Sequence, residues 1–122
     1  QFLCLPKLQL VMGSRVESPE NLLERAIHAN PNDPFAWHIL GVRCHSRQCY
    51  DDALKCFEKA ESIKSGFSAS NQYYMASSLK ELGRLDDCIR VLLSAVSLPA
   101  RNNIDKKGKR CAAQLLSQLQ KS

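Results

Sequence analysis

The chain has 122 residues, of which 44% are hydrophobic and 24% charged, and it carries a net charge of +5. This is globular composition, large enough for one domain with a real core but near the small end of the usual range. No apolar run reaches the roughly 18 residues that span a bilayer, so a membrane-crossing helix is excluded.

Residues 1–16 carry the weakest pattern: Leu3, Leu5, Leu8, Leu10, Val11 and Met12 alternate more than they follow a helical period, and Pro6 breaks the run. Part of a helix is expected from Leu8 onward, packed on the first repeat. Lys7 interrupts the segment, which lacks the charged leader and small-residue cleavage site of a secretory signal. Starting on Gln1, the chain reads as a piece cut from something longer. Ser18-Pro19-Glu20 is a helix start, and Leu22, Leu23, Ala26 and Ile27 form a stripe closed by Pro31.

The most specific stretch begins at Asn30. Trp37, Leu40 and Gly41, then Ala53 and Phe57, fit the tetratricopeptide template W-x2-L-G-x2-Y, A-x3-F. Cys44 replaces the template tyrosine, and Ser65 stands where the closing proline would fall. Asp33 can cap the first helix and Pro34 tolerates its first position. Gly41 and Ala53 allow the two helices to approach closely, with Phe57 filling the gap one turn on. Tyr50, Ala53, Leu54, Phe57 and Ala60 place the second helix over about Tyr50 to Ile63. Lys64 to Ser68, with Gly66, makes a turn.

A degenerate copy comes next. Met75, Ala76, Leu79 and Leu82 line one helix ended by Gly83, and Leu85, Cys88, Ile89, Leu92 and Ala95 line its partner, which Pro99 closes. Ala26 precedes Ala60 by 34 positions and Ala95 follows it by 35, the extra residue being placed around Gly66. A last helix, about Asn103 to Gln120, is expected to bury Ile104, Cys111, Ala112, Leu115, Leu116 and Leu119, with Lys106, Lys107, Lys109 and Arg110 on the opposite side. The expected architecture is all-α: a single tetratricopeptide-like α-α superhelix over residues 1–122, with a partial repeat at 1–32, repeats at 33–66 and 67–100, and a capping helix at 103–120.

Six of the 17 basic residues lie from Arg101 onward against Asp105 alone, while the rest of the chain balances. All the excess charge therefore sits in the last segment. It serves either as the polar outer face that a capping helix needs or as a stripe for an acidic partner. Without interleaved aromatic residues, nucleic acid is not the expected partner. Cys44, Cys56, Cys88 and Cys111 fall on apolar stripes as small hydrophobes, which favours a reduced, intracellular chain. Cys44, His45 and Cys49 could begin a metal site but lack a second ligand pair at zinc spacing. No serine or cysteine partners His28, His38 or His45 in a recognisable motif and no phosphate loop occurs, so neither catalysis nor a cofactor is expected.

In solenoids of this kind the first helix of each repeat lines the concave surface, making His38, Val42, His45, Tyr73, Ser77 and Lys80 the groove candidates. Too few cations lie there to grip a C-terminal carboxylate as chaperone-binding repeats do. A helix or an apolar ligand suits it better. Tyr73 and Tyr74 can equally pack between repeats.

The segments NLLERAIHANPNDPFAWHILGVRCH, YDDALKCFEKAE, GFSASNQYYMASSLKELGRLDDCIRVLLSAVSLPA and CAAQLL resemble the C-terminal half of the regulator of microtubule dynamics family, over about residues 20–119. Leu98-Pro99-Ala100, the charged stretch after it and Ala112-Ala113-Gln114-Leu115-Leu116 are the distinctive part. Relatives often carry a longer insertion where Arg43 to Tyr50 is short here. The resemblance implies a non-catalytic cytoplasmic protein that binds tubulin or microtubules and influences spindle behaviour and chromosome segregation. It also implies an alternative: a contact-site or lipid-handling module that some relatives hold at mitochondria through an anchor.

Overall fold

The computed structural model describes residues 24–121 apart from residue 26. The expected helix from Leu8, the start at Ser18-Pro19-Glu20 and most of the stripe from Leu22 to Ala26 lie outside the described residues. Residues 24, 25 and 27–29 are helical and Ile27 is buried.

Five helices come after them: α1 (Pro34–Ser46), α2 (Tyr50–Ile63), α3 (Ala69–Glu81), α4 (Leu85–Ser97) and α5 (Asn103–Lys121). There is no strand among the described residues. Three residues join α1 to α2 and α3 to α4, and links this short leave no geometry but antiparallel neighbours. Each pair stacks on the next: α3 packs against α1, α2 and α4, and α5 packs on α3 and α4. This is the α-α superhelix expected from the spacing of the apolar residues.

The helix starts have local causes. The Asp33 carboxylate accepts from the Phe35 amide at 3.0 Å, and Pro34 occupies the first turn, where its missing N–H costs nothing. Ser68 Oγ accepts from the Asn71 amide at 3.4 Å to cap α3, and Asn102 Oδ1 accepts from the Asp105 amide at 2.7 Å to cap α5. α2 and α4 lack a capping side chain but carry Asp51 with Asp52, and Asp86 with Asp87, in their first turns, where the helix dipole favours negative charge.

Both hairpin turns end their first helix the same way. The Cys49 amide donates to the Cys44 carbonyl and the Gln48 amide to that of His45; Arg84 to Leu79 and Gly83 to Lys80 repeat the pattern. The pivot residue is left-handed in each, φ 64° at Gln48 and 80° at Gly83. Two bonds of this kind satisfy the carbonyls that a helix end leaves open.

One continuous core runs through both pairs and reaches Ala112 of α5; Ile27, Ala36, Leu40 and Cys56 form a second cluster beside Trp37. Trp37 Nε1 donates to the Pro31 carbonyl at 3.0 Å, so the template tryptophan anchors the entering chain as well as packing. A Cβ on Gly41 would lie 2.5 Å from Phe57 Cε1. The glycine is what lets the Phe57 ring lie against α1. Full burial of that ring is worth ~2–3 kcal/mol, against about 1 kcal/mol for a helical glycine.

Two expectations are corrected. Ile104 is 64% exposed, and Asp105, Gly108 and Ala112 form the buried stripe of α5 in its place. Asp105 replaces an apolar contact with a polar lock: its carboxylate accepts from Ser68 Oγ at 3.4 Å and from the Arg101 amide at 3.2 Å. The wholly reduced chain is also corrected. Cys44, Cys56, Cys88 and Cys111 are free, but Cys49, in the α1–α2 turn, is disulfide-bonded. A hydrogen bond to Cys44 and burial hold the Cys56 thiol far above the usual range.

Candidate binding groove

α1, α3 and α5 enclose a cavity of about 640 Å³. α1 contributes Phe35, His38, Ile39, Val42, Arg43 and Ser46, residues three or four apart on one helical stripe. α3 supplies Ser70, Tyr73 and Tyr74, and α5 supplies Ile104, Lys107, Gly108 and Cys111. The close approach of α5 depends on Gly108, where a Cβ would stand 2.7 Å from the Ser70 amide nitrogen.

A rigid aromatic layer supports the groove. Tyr74 stacks on Phe57 at 6.0 Å with the planes inclined by 28°, and meets His38, His45 and Tyr73 edge-on at 6.0, 5.3 and 5.3 Å. Asn71, fully buried, fixes His38. Its Nδ2 donates to the Phe57 carbonyl and to Glu61, so its Oδ1 accepts from His38 Nδ1–H at 2.9 Å. Burial lowers the His38 pKa, with the Asn71 bond opposing. Glu61 completes the network, accepting from the Gly66 amide at 2.6 Å and from Gln72 Nε2 at 2.9 Å.

The expected groove residues separate into two groups. His38, Val42 and Tyr73 line the cavity. His45 and Ser77 do not: they bond to each other at 3.0 Å and join α1 to α3, with burial lowering the His45 pKa against the pull of Glu81. Lys80 lies outside the lining, exposed and 3.8 Å from Glu81. On α5, Lys106, Lys107 and Arg110 are exposed and Lys109 is half-buried. Lys107 belongs to the groove wall, which corrects its placement on the outer face alone. Among the described residues no three of His, Cys, Asp and Glu gather as metal ligands, and no helix is long and apolar enough to cross a membrane.

Sequence reasoning missed Phe35, Ile39, Arg43 and Ile104. The signal was present on α1, which is apolar on two faces: Ala36, Leu40 and Cys44 inward, Phe35, Ile39 and Val42 toward the groove. Of the five large exposed hydrophobic side chains among the described residues, Phe35, Ile39 and Ile104 all line this one cavity. Clustered exposure of this kind is characteristic of interaction sites, where scattered exposure is not.

The family described as Regulator of microtubule dynamics protein 1-3 matches residues 43–120, more than half of the chain. The chain belongs to that family. It is 28% identical over 116 residues to Regulator of microtubule dynamics protein 1 of Rattus norvegicus, which covers 79% of this chain and 37% of that protein. Regulator of microtubule dynamics protein 2 of Bos taurus is 24% identical over 119 residues, 81% of this chain and 29% of that protein. A Saccharomyces cerevisiae protein named Peroxisomal targeting signal receptor is 27% identical over 109 residues, covering 84% of this chain and 18% of that protein. The chain thus spans well under half the length of these curated relatives.

Proposed function

We propose that this chain is a non-catalytic binding module, built on repeats 33–66 and 67–100 sealed by α5, that attaches to microtubules and thereby regulates their dynamics. The observation that carries this reading is the placement of the whole excess positive charge on the last segment, with Lys106, Lys107 and Arg110 standing in solvent and the lone acidic residue there, Asp105, turned inward. Tubulin presents acidic surfaces, and a cationic helix face attracts them. Exposed ion pairs contribute only about 0.2–1 kcal/mol each, so the attachment is weak and salt-sensitive. On spindle microtubules, in the cytoplasm, it would bear on chromosome segregation.

Co-sedimentation with microtubules tests this. Reversing Lys106, Lys107, Lys109 and Arg110 to Glu is expected to abolish pelleting while the helical circular dichroism stays unchanged. Unaltered pelleting removes the proposal, and pelleting that survives about three times physiological salt removes its electrostatic basis.

The clustered apolar side chains favour a second reading, an adaptor or tether whose groove holds a peptide or a lipid, for example at the cytosolic face of mitochondria. Mass spectrometry of the natively purified protein would then show an apolar guest.

A further inference from the structure

We propose that the groove takes a short acidic peptide segment carrying one bulky apolar side chain, with its carboxylates meeting Arg43 on one wall and Lys107 on the other. This rests on the reading of the domain as a binding module for an acidic partner, and it adds a specific site in the concave surface to the cationic face of α5.

Charge complementarity selects the occupant. Among the described residues no Asp or Glu lines the cavity, yet two cations do. Arg43 Nε is buried with no hydrogen-bond partner among the described residues, and Lys107 is in none of the ion pairs among them. A guanidinium on a groove wall can grip a carboxylate through its two terminal nitrogens with parallel bonds. The volume suits one or two large side chains and not a folded domain. Phe35, Ile39 and Ile104 offer the apolar contact, and the Tyr73 ring supplies a flat surface between them.

Arg43 sits on α1 and Lys107 on α5, with α3 between them, so the two cations enter the cavity from different walls. Two carboxylates on one peptide can meet both walls at once.

Fluorescence polarisation with a labelled peptide of alternating Glu and Ser around a central Phe tests the proposal, beside versions with Gln for Glu and Ser for Phe. Mixed zwitterionic and anionic phospholipid vesicles form the competing arm. The intact chain is expected to bind the Glu/Phe peptide saturably and both altered peptides far more weakly. Arg43→Glu and Lys107→Glu should each weaken binding about tenfold, the loss of one charge-assisted contact, while Lys55→Glu on α2 leaves it unchanged. Lys107 is exposed, so its variant keeps the test decisive if Arg43→Glu fails to fold. Binding insensitive to either substitution, binding lost equally in Lys55→Glu, or vesicles bound where the peptide is not would each overturn the inference. If the peptide fails while the intact chain still pellets with microtubules, only this inference falls; if pelleting fails as well, the proposed function falls with it.

Discussion

Asn71 is the residue on which the two helix pairs meet. It has no exposed surface and its side chain reaches His38 on α1, and the Phe57 carbonyl and Glu61 on α2, from a position on α3. A polar group buried this deeply is tolerable because each of its atoms is bonded. His38 inherits the consequence. Its folded pKa lies below the unfolded value of 6.5, and that of His45 does too. Below about pH 6.5 the unfolded chain binds protons that the folded chain refuses, so the stability present above that value is lost as pH falls toward the folded pKa values. Thermal unfolding followed from pH 7.5 to 5.5 is expected to shift steadily downward, and a His38→Asn variant should show a shallower slope. None of this is legible in the sequence, where helical position marks His38 for the groove and nothing connects it to an asparagine 33 residues later.

At the scale of elements, the two hairpin turns pose the same backbone problem and answer it with different residues. Gly83 adopts a left-handed φ without strain, whereas Gln48 must hold its Cβ against the preceding carbonyl. Gln48→Gly is expected to raise stability by about 1 kcal/mol, measured as an increased denaturant midpoint with unchanged slope. Gly108→Ala should do the opposite. Alanine is favoured over glycine in a helix by about 1 kcal/mol, but here its methyl would press on the backbone of Ala69 and Ser70, which cannot move aside as a flexible side chain can. We expect a net loss of ~1–3 kcal/mol, with α5 displaced from α3. The helices themselves are readable: the apolar period fixes α2 at Tyr50–Ile63 and starts α5 at Asn103. What misleads is the first turn of α5. A periodic pattern assigns Ile104 inward and Asp105 outward by type, and the reversal arises from the cap of α3, an acceptor's partner that periodicity does not encode.

For the whole molecule, the fold is legible because stacked helix pairs repeat their spacing in the chain, and repetition survives degenerate positions such as Gln72 in place of tryptophan. The groove is legible only in part. His38, Val42 and Tyr73 can be placed from the rule that first helices face the concave side, but Phe35, Ile39, Arg43, Ile104 and Lys107 depend on how α1 and α5 converge across α3. The membership in a family named for microtubule dynamics, together with charge confined to the last segment, gives the attachment hypothesis its footing.

The walls of the cavity come from α1 and α5, with α3 as the floor. A guest held by both walls is therefore a brace across an open coil. Its grip would set the coil's curvature and slow amide exchange in α2 and α4, neither of which it touches. Deuterium uptake in those two helices would then report occupancy from the far side of the protein.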